Sequence, residues 1–209
     1  MKEDDKMMNK AEQIMKKKAN IKAEMDKILP KTQSDALWQE ATARLDGYLA
    51  RYSSLPKGVH VHTDSRILPS AAIYLTLKEV IEPEKAYRVI EDSAIQLCAG
   101  IEKKLQNLMK LPGMQGLFIR VWDPLTKKMF GAGNGFQNTF YPKKKDEYRM
   151  DVTACPYCRT FTELGCPELT RIFCENDERI YGNLPGVIFE RSGTLGKGAE
   201  RCDFCIRRV

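Results

Sequence analysis

No stretch of this 209-residue chain has the length and apolarity of a bilayer span; the longest candidate, ILPSAAIYLTL from Ile67, is short and is interrupted by proline and serine. The opening residues, MKEDDKMMNK, are charged where a secretory leader would carry its apolar core. These absences predict a protein that is not held in a membrane and that is cytoplasmic. A dense basic stripe is also missing. The net charge is +6, but the lysines alternate with acids, as in MKKKANIKAEMDK, which is the pattern of a solvated helix face and predicts no nucleic-acid partner. FGAGNGF has the glycine density of a phosphate loop without its lysine and Ser/Thr, so it reads as a turn or bulge. Histidine is scarce: His60 and His62 are the only two, and both are expected to flank a turn.

What is present is an ordinary globular balance, 43% hydrophobic and 30% charged, enough for a sizeable core. The seven cysteines are odd in number, and with no leader they predict reduced thiols, buried, catalytic or metal-bound, and no disulfide framework. Residues 1–30 read as a charged helix for docking or dimer contact, ended by Pro30. A second helix follows from Ser34, its plausible cap, with Trp38, Ala41, Leu45, Leu49 and Tyr52 recurring at three and four. After a break at SLPKGVHVHTDSR come a buried helix, ILPSAAIYLTLKEVI, and a longer one opened by Pro83. The period then changes to two. LFIRVWD, FQNTFYP, EYRMDVT, VIFERSG and CDFCIRRV read as strands, with short helices beginning at Pro156 and Pro167. The layout is α+β: one domain with a helical half (31–110) before a sheet-rich half (111–209), the latter a mostly antiparallel sheet of about five strands.

Several residues carry chemistry. CPYC at 155–158 resembles the active-site signature of glutaredoxins, and Pro156 at a helix start leaves the Cys155 sulfur where backbone N–H groups and the helix dipole favour a thiolate. A thiol oxidoreductase is therefore one reading, although a chain ending on a strand does not fit that fold. CPYC and CDFC together suggest zinc. In a strand, however, Cys202, Phe204 and Ile206 share one face and Cys205 points to the other, so the pair cannot hold one ion without a bulge. On the helix from Pro167, Cys174, Asp177 and Tyr181 follow at i, i+3 and i+7, beside an apolar stripe of Leu169, Phe173 and Ile180. A thiol, a carboxylate and a phenol thus share one face, either as a boundary with the core or as a nucleophile, an acceptor and a donor in a pocket.

The C-terminal third carries a Cys-Pro helix start, Gly165 with PEL, FC followed by Asp177, an LPG turn, the strand FERSGT, a glycine step and CDF. In this order the elements resemble the L-2-amino-thiazoline-4-carboxylic acid hydrolase family, and HTDSRILPSAAIYLTL is similar to that family's first buried helix with its preceding histidine. The resemblance implies hydrolytic opening of a cyclic amidine to a carbamoyl-cysteine-type product. It implies a small-molecule substrate, no cofactor and no metal, and it leaves a homo-oligomer open.

In that chemistry Asp177 would pair with the protonated amidine. Attack would come from Cys174 or Cys155 as thiolate, or from water activated by His62. Arg191 would clamp the substrate carboxylate, or else serve as a strand-end arginine in an ion pair. Tyr181 and Cys202 would complete the binding site, Cys202 also reading as a small buried core residue. GKGAERCDFCIRRV also resembles the closing strand of vinyl-reductase-type small-molecule-binding domains, which need no catalysis.

Overall fold

The structure, a computed structural model, describes residues 8–142 and 144–209. The chain divides into two compact units, 1–93 and 94–209, and the dividing point falls within its longest helix.

The first unit is helical. Helix α1 (Lys10–Lys16) starts from a capping box in which the Asn9 side chain accepts from the Glu12 N–H and the Glu12 carboxylate accepts from the Asn9 N–H. Helix α2 (Ala19–Ile28) follows after a break at Lys17–Lys18, so the expected N-terminal helix is two short ones; residues 1–7 lie outside the described residues. Helix α3 (Lys31–Arg51) begins directly after Pro30. Ser34 is therefore not its cap. It is buried inside the helix and donates to Asp26 at 2.6 Å, while the Lys22 ammonium donates to it at 2.9 Å.

The expected break before the buried helix is also helical. Helix α4 (Lys57–His62) runs into a π-helical turn (Thr63–Ile67) and on into α5 (Leu68–Lys78). Pro69 cannot donate to the preceding turn, and the wider π turn carries the chain past that lost bond. His60 and His62 thus lie on a helix and do not flank a turn. Helix α5 packs along α3 and is apolar around most of its circumference, with Leu68, Ala71, Ala72, Ile73 and Leu77 all 0% exposed. Each large aliphatic side chain so buried stabilises the fold by roughly 1.5–3 kcal/mol.

The second unit begins within α6 (Pro83–Met109). Gly113, at φ +79°, turns the chain into α7 (Met114–Phe130). This helix replaces the strand expected at LFIRVWD: buried Phe118, Ile119 and Thr126 and part-buried Trp122 recur at helical spacing on the core side. Four strands follow, β1 (Gln137–Phe140), β2 (Glu147–Ala154), β3 (Val187–Glu190) and β4 (Cys202–Arg208), giving an antiparallel sheet of order β1-β2-β4-β3, one strand fewer than expected. Between β2 and β3 lie α8 (Pro156–Glu163) and α9 (Leu169–Tyr181).

Register fixes which side chains share a face. Tyr148 pairs with Ile206, Met150 with Phe204 and Val152 with Cys202, forming the inner face. Arg149 pairs with Cys205 and Asp151 with Asp203 on the outer face. Helix α7 packs against β2 and β4, and Met109, Phe118, Ile119, Leu184, Val187 and Ile206 form a core that Trp122, Tyr181 and Phe189 extend.

Candidate active site

Helix α8 ends in a paired hydrogen-bond motif: Gly165, at φ +77°, donates to Thr162 at 3.1 Å, and Cys166 donates to Phe161 at 2.9 Å. The left-handed residue at this position suits glycine. The turn leads straight into α9, whose Phe173 ring stacks on Phe161 at 5.5 Å and meets Tyr157 at 5.0 Å. Packing of α8 against α9 thus brings CPYC beside Cys174.

After β3 the chain makes a short 3₁₀ turn, Leu195–Lys197, closed by Gly198 at φ +87°. This turn lies on α9, tied by Lys197 to Glu175 at 3.4 Å, and its backbone rests against two sulfurs. The Leu195 N–H donates to the Cys202 Sγ at 3.2 Å. A Cβ on Gly196 would sit 2.8 Å from the Cys174 Sγ, so the peptide approaches the thiol as only glycine allows. The thiols of Cys174 and Cys202 hydrogen-bond each other. That bond, with the Gly196 N–H and the Thr194 hydroxyl, outweighs burial and the nearby Asp177 charge and brings the Cys174 thiol down to about 7. Cys202, donating within the same pair and buried, is pushed up. Thr194 is buried with no well-formed hydrogen bond of its own, which leaves its hydroxyl available to the sulfur. The lowered thiol favours the thiolate, the reactive form, at Cys174.

Asp177 stands one turn beyond Cys174. Arg191 donates to it at 3.1 Å through Nη1 and to the Cys174 carbonyl at 2.8 Å through Nη2. The guanidinium is 4% exposed, flanked by Phe189 and Phe204 at 5.5 and 5.4 Å from the ring centroids. The structure therefore directs Arg191 at the backbone and carboxylate of α9. A cleft of about 440 Å³ opens among Arg149, Glu178, Phe189, Glu190, Asp203 and Phe204, and of the candidate residues Arg191 lines it.

The other candidates are placed as follows. Cys155 lies at the N-cap of α8 in contact with Cys158, and burial together with the Cys158 hydrogen bond pushes its thiol up. Tyr181 turns its ring into the core, 4.7 Å from Trp122 and 6.1 Å from Phe189. His62 is buried in the first unit, at the entry to the π turn, next to a segment where Asp64 joins His60 at 2.9 Å and Lys10 at 2.7 Å. Cys202 and Cys205 occupy opposite faces of a regular strand, as the period of two requires. Among the described residues, no group of three or more His, Cys, Asp or Glu side chains could hold a metal ion, and no helix is long and apolar enough to cross a membrane. The parts of the site not read in the sequence are the contact of Cys174 with Cys202 and the Thr194–Gly196 backbone. The closely spaced glycines of GTLGKG were the signal that a chain had to pass close to something there.

Helices before a four-stranded antiparallel sheet make this an α+β protein, with Cys174 on a helix beside the sheet. The family model of the L-2-amino-thiazoline-4-carboxylic acid hydrolases matches residues 60–206, and the chain belongs to that family. No curated protein and no solved structure matches it.

Proposed function

We propose that this protein hydrolyses a cyclic amidine of the 2-aminothiazoline-4-carboxylate type, using Cys174 as nucleophile. The observation that carries the reading is the Cys174 environment, a thiol brought to about 7 by a second thiol and a peptide turn, in a chain of this family. The electrophile is ring carbon C2, flanked by sulfur and two nitrogens. Asp177, anchored by Arg191, orients the protonated amidine through charge-assisted hydrogen bonds. The Cys174 thiolate adds to C2, the bond from C2 to the ring sulfur breaks, and that sulfur leaves as a thiol after taking a proton. The resulting isothiouronium on Cys174 is attacked by water. Its carbon–sulfur bond to Cys174 breaks, the thiolate is restored, and the carbonyl of an N-carbamoyl-cysteine carries the oxygen of water. The Gly196 N–H group, the Thr194 hydroxyl and the Cys202 thiol stabilise the thiolate that departs.

In this mechanism Arg191 is a positioning residue and the substrate carboxylate is held elsewhere. Tyr181 contributes packing, and His62 takes no step. The test is incubation of the reduced protein with L-2-aminothiazoline-4-carboxylate, following the mass gain of one water by chromatography and mass spectrometry, with Cys174→Ala alongside. Turnover lost in the variant is expected. Saturable binding without turnover in either protein would overturn the hydrolase reading in favour of a binding domain, and turnover retained by Cys174→Ala would remove this residue from the chemistry.

A further inference from the structure

The mechanism leaves the CPYC pair unused. Cys155 is the extended residue before α8 (φ −134°, ψ 129°), Pro156 occupies the start of the helix, and Cys158 lies one turn in. Residues three apart on a first turn face the same way, and here the two thiols are in hydrogen-bonding contact. Both are reduced and neither is fully buried. The Thr170 hydroxyl of α9 supports Cys158 on its other side, and the Tyr157 and Cys158 N–H groups reach toward the Cys155 sulfur. The hydrogen bond from Cys155 draws the Cys158 thiol down, which favours Cys158 as the attacking sulfur of the pair. Cys174 and Cys202 are also in contact, but Cys202 is 6% exposed within a paired strand and is closed to a bulky reagent.

We propose that Cys155 and Cys158 form a reversible two-electron redox site whose co-reactant is a low-molecular-weight disulfide, a reactivity separate from ring hydrolysis. The Cys158 thiolate attacks one sulfur of the disulfide RSSR. The S–S bond breaks, RS⁻ leaves and is protonated, and Cys158 holds a mixed disulfide. Cys155 then loses its proton and attacks the Cys158 sulfur, expelling the second RS⁻, which takes a proton in turn. The protein dithiol is oxidised by two electrons to an internal disulfide, and RSSR is reduced to two RSH.

The test equilibrates the full-length reduced protein in glutathione buffers of increasing oxidised fraction, quenches with acid, blocks remaining thiols with N-ethylmaleimide and maps peptides by mass spectrometry. The expected result is loss of maleimide from two of the seven cysteines, with one internal bond joining Cys155 to Cys158 and dithiothreitol reversing it. Cys155→Ser is expected to stop at one glutathione on Cys158. The proposal is overturned if both cysteines stay alkylatable across the buffer range, if either bonds to another cysteine, or if Cys174 and Cys202 close first. The wild-type map decides the matter even if the variant does not fold, and it reads no hydrolase activity.

Discussion

Two thiol pairs lie side by side in the second unit, and their surroundings give them different chemistry. Cys155 and Cys158 belong to one helical turn and have each other, Thr170 and the N–H groups of their own turn as partners. Cys174 and Cys202 come from a helix and a strand separated in sequence, and a peptide turn between them supplies N–H groups to both sulfurs. The first pair suits exchange with an outside disulfide, because it is local and accessible. The second suits attack on an electrophile, because an anion on Cys174 is stabilised by donors that stay in place when the sulfur forms and breaks a bond. The difference teaches that spacing in the sequence reports a local thiol pair, whereas a pair between helix and strand is set by what the fold brings against a sulfur.

The contrast can be broken most severely at Cys174. Cys174→Ala should reduce ring opening by roughly a thousandfold or more, since a missing nucleophile removes the covalent route; circular dichroism should show the fold retained. Next in size is the anchor beneath it. Asp177→Ala leaves the buried Arg191 guanidinium with the Cys174 carbonyl in place of its ion pair, and denaturant unfolding should register a loss of about 3 kcal/mol. Asp177→Asn, which keeps an acceptor, should cost about 1 kcal/mol while losing the charge that orients the amidine.

Smaller effects sharpen the comparison. Gly196→Ala places a methyl group against the Cys174 sulfur. It should cost about 1–2 kcal/mol through crowding and raise the midpoint of Cys174 alkylation, with little change at Cys158. Smallest of all is Cys205→Ala, on the outer sheet face opposite Cys202. Turnover should change less than about twofold, because Cys205 takes no step in the proposed chemistry.

Much of this was legible because local periodicity carries it. Strand β2 alternates polar and apolar residues, Pro83 and Pro156 mark helix starts, and the spacing of Cys174 and Asp177 puts both on one face of α9. LFIRVWD misleads because Ile, Val, Phe and Trp are strand formers, yet Phe118, Ile119 and Trp122 meet the core of Leu184, Val187 and Ile206 at helical spacing while Val121 is exposed; tertiary packing overrides propensity there. Arg191 stood out as a charged residue at a strand end, but its partners lie on α9, and no local pattern reports a long-range pair. Cys202 is the same case: its strand face could be read, and the sulfur it meets could not. Tyr181 shared a face with Cys174 by count, yet Trp122 covers that end of the helix.

The most direct measurement is the rate of iodoacetamide alkylation at Cys174 from pH 5.5 to 9.5, resolved from the other cysteines by peptide mass. The hydrogen bond from Cys202 and the turn lower its thiol, so the rate should rise with pH and pass half its plateau near 7, where the thiolate and thiol are equal. A midpoint at or above the ordinary thiol value of about 8.5 would contradict an activated nucleophile at this position.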